Sequence, residues 1–250
     1  MLHALDGLTL VLSHFILHLL NKMGYSLKAR YFPAIISILP IVTFNYFYLA
    51  PYLAGLLEKF NDLSLLVSNV SIPAIALYLV IQLNRITSKE LFEKRIFKDE
   101  LHMPTTNLLL FSTNFLTNDC KQKLRKKIYE DFNIQLPNEQ SERRNPHHAR
   151  KMIVEAMSQI RLRVKNGRLV LQHNIEYGFV RNLLGGSITG AIIATWNLIF
   201  FDEIHHNSFA FKLSAAMLIF YVLILLFNKI LLEFFGYNYA KVLINEYQQT

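Results

Sequence analysis

Charged side chains are scarce in this sequence of 250 residues, of which only 18% are Asp, Glu, Lys or Arg. Soluble domains usually carry about 25% charged residues. Apolar residues make up 52% of the chain, and the mean hydropathy is +0.26. The shortage of charge therefore predicts that much of the chain contacts lipid rather than water.

Cysteine is almost absent as well, since Cys120 is the single thiol. One thiol excludes an intramolecular disulfide, which is consistent with a cytoplasmic location for its segment. A structural zinc site needs four convergent ligands, so we expect neither a bound metal nor a cofactor. Three histidine pairs are interpreted as surface or interface residues: His14 and His18, His147 and His148, His205 and His206.

Enzyme signatures are also missing. The sequence contains no Gly-rich loop ending in Lys-Ser or Lys-Thr, no Gly-x-Ser-x-Gly elbow and no His-Glu-x-x-His motif. Its long apolar runs carry no carboxylate that might hold magnesium beside a lipid phosphate. We therefore predict no catalytic residue and expect that the protein is not an enzyme, with a lipid-modifying enzyme as the least favoured alternative.

What the chain does contain is four long apolar runs without Asp, Glu or Arg. About 20 apolar residues in a helix cross the hydrocarbon core of a bilayer, which is about 30 Å thick. Each run is therefore predicted to be a transmembrane helix. The four runs are residues 31–53, 63–83, 183–201 and 211–230.

Positive charge is concentrated between the second and third runs. Residues 84–182 hold 19 Lys and Arg against 11 Asp and Glu, a surplus of eight that equals the net charge of the whole chain, +8. Positively charged segments are retained on the cytoplasmic side of a membrane. The pattern thus predicts a bacterial inner-membrane protein whose termini and central segment are cytoplasmic.

The predicted fold class is all-α: a polytopic membrane protein with four transmembrane helices in two hairpins and a helical cytoplasmic insertion. The leading segment, which is apolar but interrupted by His and Asp, is interpreted as an amphipathic interfacial helix, with a fifth span as the alternative. The predicted regions are an interfacial helix (1–30), a first hairpin (31–83), the basic domain (84–182), a second hairpin (183–230) and a C-terminal tail (231–250).

Two helices of the basic domain have clear start signals. Thr117, Asn118 and Asp119 form the predicted cap region of a helix that runs from Cys120 to Phe132, because their side chains can cap the free N–H groups of a first turn. Pro146 opens the next helix, predicted to reach Lys165, because proline is favoured at the first helical position. An apolar stripe along this second helix predicts a buried face.

Clustered cations are the candidate ligand-binding residues. Lys and Arg neutralise phosphates, and the Arg guanidinium matches two phosphate oxygens at once. The alternative is that these residues only retain the domain inside or contact anionic lipid head groups. The candidates are Lys121, Lys123, Arg125, Lys126, Lys127, Arg143, Arg144, Arg150, Lys151, Arg161, Arg163, Lys165 and Arg168.

Polar and small residues within the apolar runs are candidates for a pore lining or for helix packing. Glycines spaced by four let two helices approach closely, and polar groups in lipid seek partners or a water-filled cavity. These candidates are Asn45, Asn69, Gly186, Ser187, Gly190 and Asn197. Residues 172–177, just before the third run, place further polar groups where they could line a ligand site or a pore mouth, or make capping and interhelical bonds.

The layout resembles the small membrane effectors of bacterial anti-phage defence systems, which pair a few spans with a cytoplasmic sensor of nucleotide signals. It is similar to the four-span effector of the Hailong system, whose basic sensor also lies between two hairpins. The resemblance implies a homotetrameric channel controlled by short single-stranded DNA that a partner nucleotidyltransferase makes. The sensor surface would then comprise residues 121–127, 143–151 and 161–168.

The expected function is therefore an oligomeric membrane effector, a ligand-gated channel or pore controlled by a nucleotide or short oligonucleotide. Its expected partners are membrane lipids, further copies of the chain and this ligand. The alternative is a scaffold that anchors a soluble defence or signalling partner encoded nearby, as in Kiwa-type membrane subunits.

Overall fold

The structure, a computed structural model, describes residues 24–52 and 62–250, and for residues 62–74 and Asp99 it describes the backbone alone. Within these residues every regular element is a helix and no strand occurs. The predicted all-α class is confirmed for this part of the chain. Most of the predicted interfacial helix, and the side chain of Asn69, lie outside the described residues.

Eleven helices are described here, joined in places by shorter turns of other helical types. The helices are α1 (Phe32–Ser37), α2 (Leu39–Phe44), α3 (Asp62–Ser88), α4 (Lys94–Phe97), α5 (Pro104–Leu109), α6 (Asn118–Phe132), α7 (Glu139–Arg144), α8 (Pro146–Arg163), α9 (Arg168–Ile199), α10 (Ser208–Leu226) and α11 (Asn228–Gln249). The π-helical turns are Leu27–Tyr31, Asn45–Leu49, Lys89–Glu93 and Phe200–Ile204, and a 3-10 turn covers Asp99–His102.

Helix α9 is the central element of the fold. Its 32 residues extend for about 48 Å at 1.5 Å per residue, which exceeds the thickness of a hydrocarbon core. It packs against α1, α3, α10 and α11. One rigid helix therefore joins the apolar end of the protein to the basic end.

Among the residues that the structure describes, two helices are long and apolar enough to cross a membrane: Arg168–Ile204 and Ser208–Leu226. They contain the third predicted run and residues 211–226 of the fourth, and they support membrane association of the protein. The second ends at Leu226, before the predicted limit, and a new helix begins at Asn228, whose side-chain amide donates to the carbonyl of Leu225 (2.6 Å). The bent pair Leu27–Ser37 and Leu39–Tyr52 gives a third such helix if it is one span.

This bent pair turns by 43° near Pro40. Proline has no N–H, so it leaves the carbonyl four residues earlier, that of Ile36, without its helical partner. The hydroxyl of Tyr221 on α10 donates to this carbonyl (2.6 Å). A neighbouring helix therefore satisfies the backbone group that the proline frees, as an apolar environment requires.

The same arrangement is found at Pro33 in the first helix. Pro33 supplies no N–H to the carbonyl of Ala29, and the side-chain amide of Asn182 donates to it instead (2.6 Å). The amide of Asn197 donates in turn to the carbonyl of Pro40 (2.7 Å). Both asparagines are buried on α9, so this helix stabilises the bend of its neighbour.

Glycines on α9 allow its close packing. A Cβ atom at Gly185 would overlap the backbone carbonyl of Asn84 on α3, and one at Gly186 would lie 2.7 Å from the side-chain nitrogen of Asn84. At Gly190 a Cβ atom would lie 2.7 Å from the ring of Tyr221. Gly186 and Gly190, predicted as packing or pore residues, therefore lie at helix contacts within one protomer.

Two other predicted packing or pore residues are placed differently. Ser187 is buried and donates to the carbonyl of Leu183 in its own helix (2.8 Å). Asn45 is exposed and begins the π-helical turn Asn45–Leu49. A pore role for either residue stays a prediction.

The basic insertion has its own hydrophobic core. Within the predicted cap region of α6 the cap is Thr117, whose hydroxyl accepts from the N–H of Cys120 (3.3 Å), and the helix begins at Asn118, two residues before the predicted start. Asn145 caps α8 at the predicted Pro146. Residues 231–249 of the predicted tail lie in α11, which completes the core. The apolar members of this core include Leu108, Leu109, Leu110, Leu124, Ile128, Ile153, Met157, Ile160, Leu243, Ile244 and Tyr247.

Candidate ligand-binding cleft at the base of the spans

Two adjoining cavities lie where the basic insertion meets α9. The first, named here the insertion chamber, has a volume of about 390 Å³. It is bounded by α5 and α8 of the insertion and by α9 and α11. Its polar lining residues include Arg161, Lys165, Asn174, Tyr177, Arg181 and Tyr239.

The second cavity, named the span chamber, has a volume of about 410 Å³. It lies at the end of α3 and along the π-helical turn that follows it. The two chambers share four lining residues, so they form one cleft with two compartments. The shared residues are Glu93, Glu100, Met103 and Arg181. The span chamber is lined in addition by Arg85, Lys89 and Lys94.

An ion pair between Glu93 and Arg181 separates the two compartments. Arg181 Nη1 lies 3.3 Å from Glu93 Oε2, and the hydroxyl of Tyr177 donates to Glu93 Oε1 (3.0 Å). Glu93 is buried and ends the π-helical turn Lys89–Glu93. Both partners of its carboxylate lie on α9, so this group fixes the end of α3 to the central helix.

Arg161 is held more loosely on the insertion side. Its Nη2 donates to the Thr105 hydroxyl (3.2 Å), and its Nη1 lies 3.6 Å from Glu100 Oε2. Glu100 is more than half exposed, and an ion pair of this kind contributes only about 0–1 kcal/mol. An incoming anion can therefore replace the carboxylate of Glu100 at small cost.

The chemistry of the insertion chamber suits an anion with hydrogen-bonding groups. Lys165 is exposed beside Arg161 at the end of α8. Burial raises the pKa of Tyr239 on α11, so its hydroxyl stays protonated and can donate to an anion. The chamber is lined by three cations, Arg161, Lys165 and Arg181, and by two carboxylates, those of Glu93 and Glu100. Its neutral hydrogen-bond donors include Asn174, Tyr177 and Tyr239.

Three of the predicted ligand-binding cations are engaged inside the insertion. Lys121 is fully buried and its ammonium donates to the carbonyl of Thr113. The guanidinium of Arg150 donates to the carbonyl of Leu101 and to the side chain of Asn107 (both 2.8 Å). Burial lowers the pKa of Lys121 and of Arg150.

Arg125 is the third engaged cation. It donates to the carbonyls of Leu109 (2.7 Å) and Pro137, and it lies 3.4 Å from the buried carboxylate of Glu142. Burial also lowers the pKa of Arg125. Glu142 accepts from two backbone N–H groups of the loop after α5. The structure therefore places these three cations in contacts that hold loops, away from the cleft.

The remaining predicted cations lie at the surface. Arg161 and Lys165 are the two of the thirteen that line the cleft. Lys127 is half-buried and donates to the carbonyl of Gln248 (3.4 Å). The exposed ones are Lys123, Lys126, Arg143, Arg144, Lys151, Arg163 and Arg168.

Other cleft residues were not identified as candidates from the sequence. Arg85 and Arg181 each lie directly beside an apolar run, and this position next to a span end was the available signal. Glu93 gave no signal, because its partners lie more than 80 residues away on α9. Asn174 and Tyr177 belong to the polar stretch before the third run, for which a ligand site was one of the interpretations.

No three His, Cys, Asp or Glu side chains of the described residues converge as metal ligands. Comparisons with protein-family models, with curated protein sequences and with solved structures found no match for this chain. Function is therefore inferred from the residues of the cleft and the spans themselves.

Proposed function

We propose that the protein is an oligomeric membrane effector, a ligand-gated channel or pore that perturbs the bacterial inner membrane in anti-phage defence. Its gating ligand is a nucleotide or a short single-stranded oligonucleotide whose phosphates bind in the insertion chamber. This proposal retains the resemblance to the Hailong effector, including a homo-oligomeric assembly. The protein is not an enzyme in this scheme.

The observation that carries the proposal is the shared lining of the insertion chamber. Arg161 and Lys165 come from the insertion, whereas Arg181 lies on α9, the helix that continues as a candidate span. A phosphate bound between them contacts both parts of the protein at once. Its differential affinity for two arrangements of these parts shifts their equilibrium, which is the physical requirement for gating.

Glu93 and Glu100 couple phosphate binding to the attachment of α3 to α9. In the structure they neutralise Arg181 and Arg161, at 3.3 Å and 3.6 Å. A phosphate that takes over these cations releases the two carboxylates, which lie on the connection between α3 and the insertion. Ligand binding therefore changes the attachment of α3 to α9.

The proposed topology has four spans, with the insertion and both termini in the cytoplasm. The positive surplus of residues 84–182 supports this orientation. Helix α3 is 27 residues long, which is enough to cross a bilayer. Its exposed apolar side chains, among them Tyr78, Leu79 and Leu83, are consistent with contact to lipid.

Several copies are needed for a conduit, because four spans are too few to enclose one. Helix α10 is an apolar helix with only a minor share of its residues buried within the protomer. Its exposed face, which includes Ile219, Phe220 and Leu223, is available to other copies or to lipid. A symmetric ring of protomers is the simplest closed assembly.

The ligand site is tested by binding of a fluorescent oligothymidylate to the full-length protein in detergent. Arg161→Gln with Lys165→Gln should weaken binding by about tenfold or more, since a hydrogen bond to a charged group contributes about 1.5–3 kcal/mol. The matched control, Lys123→Gln with Lys126→Gln, removes two exposed cations from α6 and should change affinity far less. Equal effects of both double variants would contradict a specific site in the cleft.

Gating is tested with a potential-sensitive dye in cells that express the protein. The proposal predicts depolarisation in the conducting state and a difference between the wild-type chain and the Arg161→Gln, Lys165→Gln variant. An intact membrane potential for both proteins, with and without oligonucleotide in proteoliposomes, would refute the channel.

A scaffold is the second candidate, and the exposed surface of α6 favours it. Lys123, Lys126 and Tyr129 are exposed on this helix and lie outside both chambers. A soluble partner with an acidic surface would dock there. Co-purification of such a partner that survives moderate salt and is lost in Lys123→Gln, Lys126→Gln would support the scaffold over the channel.

A further inference from the structure

Two cations of the span chamber, Arg85 and Lys89, do not line the insertion chamber. Arg85 ends α3 and Lys89 begins the π-helical turn after it, and neither side chain forms an ion pair with any other described residue. Glu93 is engaged by Arg181. The chamber therefore carries positive charge that the protein itself leaves unneutralised.

An exposed apolar strip runs along α3 toward the end of the helix at which this chamber lies. Leu79, Leu83 and Ile86 are spaced by four and three residues, so they lie on one side of the helix. They are 57%, 55% and 61% exposed. Arg85 and Lys89, which line the chamber, lie at the same end of α3 as Ile86, and at 100° per residue they are turned about 90–130° around the helix from this strip. Exposed apolar surface that ends at a cationic cavity has the shape and polarity of an amphiphile.

We infer that the span chamber binds the phosphate of an anionic phospholipid whose acyl chains lie along Leu79, Leu83 and Ile86. The inference rests on the proposed function in one respect, the placement of α3 in the membrane. Lipid head groups and free phosphates share the chemistry that Arg85 and Lys89 recognise. The apolar strip decides between them, because only a lipid covers it.

This lipid acts on the same ion pair as the gating ligand. Arg181 lines both chambers, and the pair it forms with Glu93 separates them. A lipid phosphate that attracts Arg181 into the span chamber leaves Glu93 less neutralised and the insertion chamber less positive. By linkage, anionic lipid and oligonucleotide each change the affinity for the other by the same factor.

Lipid retention by the full-length protein in detergent tests the inference, measured by native mass spectrometry. The probes are dioleoylphosphatidylglycerol and, as the neutral reference, dioleoylphosphatidylcholine. The wild-type protein should retain the anionic lipid at roughly tenfold lower concentration. Arg85→Gln with Lys89→Gln should abolish this preference, because each Lys or Arg near anionic lipid contributes about fivefold in affinity.

The matched control is Lys229→Gln with Lys241→Gln, which removes two exposed cations from α11 outside both chambers. It should keep the preference, and an equal loss in this control would overturn the assignment. Free glycerol 3-phosphate is the second arm. Displacement of the lipid by millimolar glycerol 3-phosphate would show a site for free phosphate and would also overturn the assignment.

A further variant separates this inference from the proposed function. Arg161→Gln with Lys165→Gln should lose oligonucleotide binding and retain the lipid preference. If this variant binds lipid but the wild-type protein binds no oligonucleotide, the proposed function fails alone. If oligonucleotide binds but Arg85→Gln with Lys89→Gln keeps the lipid preference, the lipid site fails alone.

Discussion

The spans and the basic insertion satisfy backbone carbonyls with different kinds of side chain. In the spans the donors are neutral: Asn182, Asn197 and Tyr221 bond to carbonyls of the bent first helix, two of which prolines leave free. An ionised donor at that depth would have to lose its hydration in lipid, which costs several kcal/mol. A neutral amide or hydroxyl avoids this cost.

In the insertion the corresponding donors are charged. Lys121, Arg125 and Arg150 bond to carbonyls of the loops around α5 and α6. Glu142 balances Arg125 from within the same core. In the proposed topology water surrounds the insertion, so only the enclosed part of each cation is desolvated and a carboxylate or carbonyl compensates for it. In both regions a backbone carbonyl that has no helical partner accepts a hydrogen bond from a side chain. The surroundings of that carbonyl decide whether the donor is neutral or charged.

The largest expected effect follows from removing the carboxylate of the buried ion pair between Glu142 and Arg125. Glu142→Ala removes the carboxylate that faces Arg125 and the loop N–H groups, so a buried cation loses its counter-charge. We expect a loss of about 3–5 kcal/mol in the free energy of unfolding. Chemical unfolding followed by circular dichroism measures it. Glu139→Ala, which removes an exposed partner of Arg143, is the control, and a similar loss in both variants would contradict the interpretation.

The next effect concerns the close packing that brings the neutral donors to their acceptors. Gly185→Ala places a methyl group on the Asn84 carbonyl, which is backbone and cannot move aside alone. Overpacking of this kind costs about 1–3 kcal/mol or more. The thermal midpoint in detergent should fall. Gly24→Ala, where nothing lies within 4 Å of the new atom, should leave the midpoint unchanged.

A smaller effect tests the neutral donors themselves. Tyr221→Phe removes the hydroxyl that bonds to the Ile36 carbonyl while the ring keeps its place against Gly190. We expect a loss of about 1 kcal/mol. In a Pro40→Ala background the helix can supply its own N–H to Ile36, so the same change should cost less. Equal costs in the two backgrounds would show that the bond does not compensate for the proline.

The smallest effect is expected at the surface of the insertion. Lys126 lies 3.7 Å from Glu130, and both side chains are largely exposed. Lys126→Gln should change the free energy of unfolding by less than about 0.5 kcal/mol. A loss comparable with that of Glu142→Ala would remove the distinction between buried and exposed cations on which the comparison depends.

Local patterns in the sequence predicted the local structure well. The Thr117 cap and the proline at the start of α8 are where the sequence places them. The third apolar run and residues 211–226 of the fourth lie in helices that are long and apolar enough to cross a membrane. These features depend on residues that are neighbours along the chain, and their chemistry is therefore visible in the sequence.

The candidate site was predicted only in part. Arg161 and Lys165 were among the predicted cations and line the cleft, but Lys121 and Arg125 have the same local sequence character and are enclosed. Arg125 meets Glu142 through a contact between different helices, and spacing along α6 does not reveal it. The sequence indicated a cationic domain and could not say which cations remain available.

By itself the sequence predicted a helical protein with four apolar runs, and it showed that positive charge collects between the second and third of them. Those properties follow from composition and periodicity, because the hydrophobicity and charge of each residue are the same wherever the chain folds. Only the tertiary structure decided that Arg181 and Glu93, 88 residues apart, meet between two chambers. Such a pair forms because packing of α3 against α9 brings distant groups together, and packing depends on the whole chain.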